Sequence, residues 1–139
     1  MSCLLMLGGC KGEALDPLAN APTLWIEQVY PDTVRQFQDS ITLILGYEDP
    51  NGDLGSIDPN DRTLWVKDSR LPEGDLYHVK PIVPTGDEIH IRGTIRIGIR
   101  PPFLLGSAGL ERIVLSAKIR DQEGVWSEEV SAFPIWVIE

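Results

Sequence analysis

Apolar and polar residues alternate along most of the chain from Thr23 onward, in short runs separated by Gly, Pro, Asn and Asp. Successive side chains of a β-strand point to opposite faces, so this pattern predicts strands with one buried side. A helix would need apolar residues three or four positions apart, and no segment carries such a stripe. The chain is therefore predicted to be all-β.

Seven segments carry the alternation and are bounded by turn residues: Thr23–Tyr30, Asp39–Glu48, Thr63–Lys67, Leu76–Val83, Glu88–Arg100, Glu111–Arg120 and Ala132–Ile138. Seven short strands without helices favour an antiparallel β-sandwich of the immunoglobulin or fibronectin kind, with a small barrel as the alternative. The Cys…Trp…Cys spacing of antibody domains is absent. Pro81 and Pro134 predict edges or bulges, because proline cannot donate a ladder hydrogen bond. Trp65 is predicted to pack in the core between the sheets.

Size and charge limit the kinds of partner. The 139 residues correspond to one domain with a tail, and 12 Lys and Arg against 21 Asp and Glu give a formal charge of −9. An acidic chain without a basic block is a poor nucleic-acid binder, because phosphate contacts dominate that affinity. We therefore expect no nucleic-acid partner.

Both cysteines lie in the first ten residues, where a short apolar run ends in Leu7-Gly8-Gly9-Cys10. This segment resembles the lipobox of bacterial lipoproteins, in which the cysteine is lipidated and the peptide is cut just before it. The resemblance implies a signal-peptide remnant at 1–9, a lipidated tether at 10–22 and a folded domain at 23–139. It places the protein in the cell envelope, at the outer membrane of a Gram-negative bacterium. The alternative is an apolar N-terminus with two incidental cysteines.

Two further segments, Tyr47–Gly55 (YEDPNGDLG) and Ile119–Ser127 (IRDQEGVWS), carry a second resemblance. They resemble acidic loops of a broad group of uncharacterised, lipid-anchored, immunoglobulin-like proteins of Gram-negative envelopes. That group has no agreed activity, so the resemblance implies a fold and a location but no reaction.

Asp49, Asn51 and Asp53 place three oxygen-bearing side chains at alternate positions around Gly52. Calcium prefers oxygen ligands, so one hypothesis from this spacing is a calcium site. The loop departs from an EF-hand, which has glycine at the sixth position and a glutamate at the twelfth. Asp58, Asp61 or Asp121 would have to complete the shell. The alternative is a turn on Asn51-Gly52 whose acids accept backbone N–H groups, and Asp121 is itself predicted to fix a turn.

Basic side chains alternate with the apolar ones on two predicted strands: His90, Arg92, Arg96 and Arg100 on one, and Arg112, Lys118 and Arg120 on the other. Such faces would suit an acidic glycan or protein, and Arg92 and Arg96 are the candidate binding residues. The alternative is a solvated face whose charges pair with Asp and Glu across strands.

Trp126 lies in a predicted loop and is a candidate to stack on a sugar or anchor a partner, unless it packs against its own domain.

Catalysis has little support in the sequence. His78 and His90 both fall on predicted strands, and neither a Gly-x-Ser-x-Gly elbow nor a glycine-rich phosphate loop is present. The sequence favours a non-catalytic, lipid-anchored binding or assembly module. A calcium-supported carbohydrate-binding module is the second hypothesis, and a small hydrolase is the third.

Overall fold

The computed structural model describes residues 20–83 and 89–139, and its regular structure in these ranges consists of ten β-strands. The lipobox and most of the predicted tether lie outside the described residues. No helix in the described ranges is long and apolar enough to cross a membrane. The strands are β1 Thr23–Tyr30, β2 Thr33–Arg35, β3 Ile41–Asp49, β4 Leu64–Asp68, β5 Asp75–Tyr77, β6 Ile91–Ile99, β7 Leu110–Ile113, β8 Leu115–Ile119, β9 Val130–Ser131 and β10 Ile135–Ile138.

The strands form two layers, which confirms the predicted all-β sandwich. One layer is the antiparallel sheet β1-β3-β6. The other contains β5-β4-β8-β9 and β2-β10-β7, and these two sheets continue into each other because only Val114 separates β7 from β8. Within the second layer β2 runs parallel to β10, whereas the other pairs are antiparallel.

A single aliphatic core fills the space between the layers. Ile41, Leu43 and Leu45 alternate along β3 and are fully buried. The opposite layer contributes side chains at the same spacing, including Leu64 of β4 and Ile119 of β8, both also fully buried. The alternation read from the sequence therefore fixes which side of each strand faces the core.

The predicted strand Glu111–Arg120 is wrong as one continuous element, because it breaks at Val114 and its halves pair with different partners. Arg112 of β7 lies opposite Trp136 of β10, whereas Lys118 of β8 lies opposite Trp65 of β4. The basic residues predicted for one strand face thus belong to two differently paired strands.

The prediction that Trp65 packs between the sheets is also wrong. Its neighbours Leu64 and Val66 face the core, so the strand period places Trp65 on the outer face. The core at this position is filled by aliphatic side chains.

Two other predicted segments differ in length from the observed strands. Strand β5 ends at Tyr77, and the chain beyond it hydrogen-bonds to the β3–β4 loop, where the N–H of Ser56 donates to the carbonyl of Val79 at 2.9 Å. Of the predicted segment Ala132–Ile138 only Ile135–Ile138 forms a strand, β10, and the short strand β9 lies just before that segment. The short strand β2 was not predicted.

Candidate metal centre

Three carboxylates meet at one end of the sandwich. Asp49 is the last residue of β3, Asp53 lies in the loop that follows, and Asp121 comes two residues after β8. Each contributes an oxygen, and these oxygens lie within 4.8 Å of one another. We call these three side chains the aspartate triad.

The β3–β4 loop turns sharply to bring Asp49 and Asp53 together. The N–H of Asp53 donates to Oδ2 of Asp49 at 2.7 Å. Gly52 between them has a φ of 67°, and a Cβ there would lie 2.3 Å from the carbonyl oxygen of Ile89. Only glycine combines that backbone conformation with so close an approach.

The second loop, which follows β8, is held by Asp121 itself. Its Oδ1 accepts the N–H groups of Glu123 at 2.9 Å and Val125 at 2.8 Å. The two loops are joined directly, because the N–H of Gln122 donates to the carbonyl of Asp53 at 3.0 Å. The predicted role of Asp121 in fixing this turn is confirmed, and the same side chain also faces the triad.

The triad leaves buried carboxylate oxygens without partners. Asp49 and Asp121 are both 0% exposed. Oδ1 of Asp49, Oδ1 of Asp53 and Oδ2 of Asp121 accept no hydrogen bond from the described part of the chain. None of the ion pairs formed among residues 20–83 and 89–139 includes a triad member. Buried charges are normally paired or bound to a metal, because removing them from water is costly.

Burial and mutual repulsion raise the pKa values of two members of the triad, Asp53 and Asp121. Burial raises the pKa of Asp53 from 3.8 to about 6, and Asp49 raises it further, because its carboxylate accepts a hydrogen bond from protonated Asp53 and repels the ionised form. Burial also raises the pKa of Asp121, and the charge of Asp53 adds to the effect, although the N–H of Val125 opposes it. Both changes reflect a site that disfavours negative charge unless a proton or a cation is present.

The raised pKa of Asp53 predicts an unusual pH dependence in the presence of a chelator. Because the folded protein holds this proton more tightly than the unfolded chain, stability should rise as the pH falls from 7.5 through about 6. In the Asp53→Asn variant, this rise in stability at lower pH should be absent. Melting temperatures in EGTA between pH 7.5 and pH 5 measure the effect. Identical pH profiles for the wild type and the variant would contradict the raised pKa of Asp53.

The structure brings together only part of the predicted ligand set. Asp121 lies beside Asp49 and Asp53. It is one of the three residues that were predicted as further calcium ligands. Asp61 lies in an ion pair with Arg120, at 2.6 Å, and is not part of the triad. Asn51 is half-buried in the same turn.

The outer face of the sheet β1-β3-β6 carries the predicted binding residues Arg92 and Arg96, both exposed. The guanidinium carbon of Arg92 lies 5.3 Å from the centre of the Trp25 ring. That of Arg96 lies 5.8 Å from the Tyr30 ring, and its Nη2 donates to the Tyr30 hydroxyl at 2.7 Å. We call these four side chains the arginine–aromatic face. The two arginines therefore contact aromatic rings rather than the predicted Asp and Glu partners.

A second aromatic and basic cluster lies on the outer face of β4 and β8. The ammonium of Lys118 is 4.9 Å from the ring centres of both Trp65 and Trp126. Arg120 lies 5.9 Å from the Trp126 ring. Trp126 is half-buried in this cluster, which corresponds to the predicted alternative in which it packs against its own domain.

The two histidines lie in separate environments. Nε2 of His78 is 2.7 Å from the carbonyl oxygen of Ser56. Nε2 of His90 is 2.7 Å from Oε2 of Glu48 on the exposed surface. Each histidine thus has its own local partner, in a different part of the sandwich from the other.

No protein-family model matches this chain, and a search of curated proteins gives no significant match.

Proposed function

We propose that the chain is a non-catalytic binding or assembly module, held on the cell envelope by a lipid attached to Cys10. The proposed binding function is supported by the arginine–aromatic face, where the exposed side chains of Arg92 and Arg96 lie over the rings of Trp25 and Tyr30. An arginine stacked on a ring keeps its edge N–H groups available, so it can still bind a carboxylate. We therefore propose an acidic protein partner.

The fold is proposed to be immunoglobulin-like. In support, the chain passes from β3 to β4 in the opposite layer and returns from β5 to β6. Such crossings between two antiparallel sheets are typical of this class of sandwich. The class is widely used for binding, although a fold alone does not specify a function.

Charge reversal tests the proposed face. We expect the full chain to bind fluorescent poly-L-glutamate at low salt, and Arg92→Glu with Arg96→Glu to weaken that binding at least about tenfold. The matched control is Arg112→Glu, because Arg112 is exposed in the other layer. An equal loss in the control, or no loss in the double variant, would refute the face as the binding surface.

The anchor is tested separately by metabolic labelling with a radioactive fatty acid. The wild-type gene should give a labelled protein, and Cys10→Ala should abolish the label. Cys3→Ala is the matched control and should keep it, because Cys3 precedes the proposed cleavage point. An unlabelled wild-type protein would overturn the lipid anchor.

A carbohydrate-binding module supported by calcium is the second candidate function. It is favoured by the cluster of Trp65, Lys118 and Trp126, since aromatic rings beside cations suit acidic sugars. A glycan array that includes uronic-acid polymers distinguishes the two candidates. The carbohydrate hypothesis predicts signals that Trp126→Ala removes, whereas the first proposal predicts no such signals.

A further inference from the structure

We infer that Asp49, Asp53 and Asp121 form a binding site for one calcium ion between the β3–β4 loop and the loop after β8. The inference concerns the aspartate triad alone. It is independent of the arginine–aromatic face, so the failure of either proposal leaves the other standing.

Three buried carboxylate oxygens of the triad lack a hydrogen-bond partner among the described residues. A cluster of acids on a surface is solvated and needs no ion. Here Asp49 and Asp121 are 0% exposed, and each triad member keeps one oxygen without a hydrogen bond from the described residues. A cation held between them would satisfy these oxygens and offset their repulsion.

The distances between the triad oxygens are compatible with one shared calcium ion. Calcium binds oxygen at about 2.3–2.6 Å, so two oxygens on one ion can be at most about 5 Å apart. The triad oxygens, all within 4.8 Å of one another, fit that limit. Calcium also accepts irregular coordination by six to eight oxygens, whereas magnesium requires near-ideal octahedral geometry. A site built from two loops, with water completing the coordination, therefore suits calcium better.

The ligand atoms of the triad are of the kind that calcium prefers. The described cluster offers carboxylate oxygens only, with neither histidine nor cysteine among its members. Hard cations prefer such oxygens, whereas zinc and copper favour nitrogen and sulfur. Three carboxylates exceed the charge of one calcium ion by one, and water can complete the coordination shell.

The ion would join two loops that are already in contact. Asp49 ends β3, Asp53 lies in the loop that follows it, and Asp121 lies in the loop after β8. The hydrogen bond from the N–H of Gln122 to the carbonyl of Asp53 lies beside them. Because the unfolded chain does not hold the three carboxylates together, calcium should bind mainly the folded state and stabilise it.

Thermal unfolding of the full chain at pH 7.5 tests the inference. Calcium at 2 mM should raise the melting temperature by at least about 5 °C relative to EGTA, and magnesium at 2 mM should raise it less. Asp53→Asn should abolish the response to calcium. In EGTA the same variant should melt above the wild type, because it removes one of the repelling charges. Loss of the calcium response together with a higher melting temperature in EGTA identifies a cation site. If Asp53 had only a structural role, its replacement would lower the melting temperature both in calcium and in EGTA.

Asp58→Asn is the matched control, because Asp58 lies in the same connection but outside the triad. Calcium should raise the melting temperature of this variant as much as that of the wild type. A wild-type melting temperature that is the same in calcium and EGTA would overturn the inference, and so would a full calcium response in Asp53→Asn. An equal rise with magnesium would overturn the choice of calcium.

Discussion

Replacing Asp121 by alanine is expected to lower the free energy of unfolding in calcium by about 3 kcal/mol. The side chain fixes a turn by accepting the N–H groups of Glu123 and Val125, and in our account it also binds the ion. Alanine removes both contributions. Urea denaturation in 2 mM calcium and in EGTA measures the loss under each condition.

Asp121→Asn separates the two roles. The asparagine carbonyl can still accept the two N–H groups, but the charge that binds the cation is lost. We expect this variant to keep most of the stability in EGTA and to gain little from calcium. If Asp121→Ala and the wild type gain equally from calcium, Asp121 is not a ligand.

Replacing Leu45 by alanine is expected to cost about 3–4 kcal/mol, because it leaves a cavity in the middle of the core. Leu45 is fully buried at the centre of β3, between Ile26 of β1 and Ile95 of β6. Leu110 is 52% exposed and provides the control, and Leu110→Ala should change stability by less than about 0.5 kcal/mol. Similar losses in the two variants, measured by urea denaturation, would contradict this description of the core.

The sequence predicted strands best where one face is buried and the period is uninterrupted. Strand β1 has the predicted bounds, Thr23–Tyr30, and β3 was predicted within two residues of each end. The break at Val114 could not be predicted, because the apolar alternation continues on both sides of it while the hydrogen-bonding partner changes. Which strands pair is determined by tertiary contacts, so the local sequence does not indicate it.

Trp65 illustrates a different limit. Its size and apolar ring favoured the core, but its position in the strand period places it outside, over Lys118. The alternation of Leu64 and Val66 was the more reliable signal, since one strand cannot turn a single intervening side chain to the other face. The ring instead lies beneath the ammonium group of Lys118, 4.9 Å from its centre.

The candidate site could be predicted in part. Asp49 and Asp53 lie four residues apart on one turn, so their proximity was visible in the sequence. Asp121 is distant along the chain, and only the folded sandwich brings the end of β8 beside the end of β3. Asp61 was equally plausible from the sequence, but it forms an ion pair with Arg120.

A crystal structure of the full chain grown with calcium tests the central claim most directly. The account predicts one strong peak of electron density between Asp49, Asp53 and Asp121, with carboxylate oxygens about 2.3–2.6 Å from it. Its anomalous signal should identify calcium. Carboxyl groups hydrogen-bonded to one another around a shared proton, with no ion between them at millimolar calcium, would contradict the account.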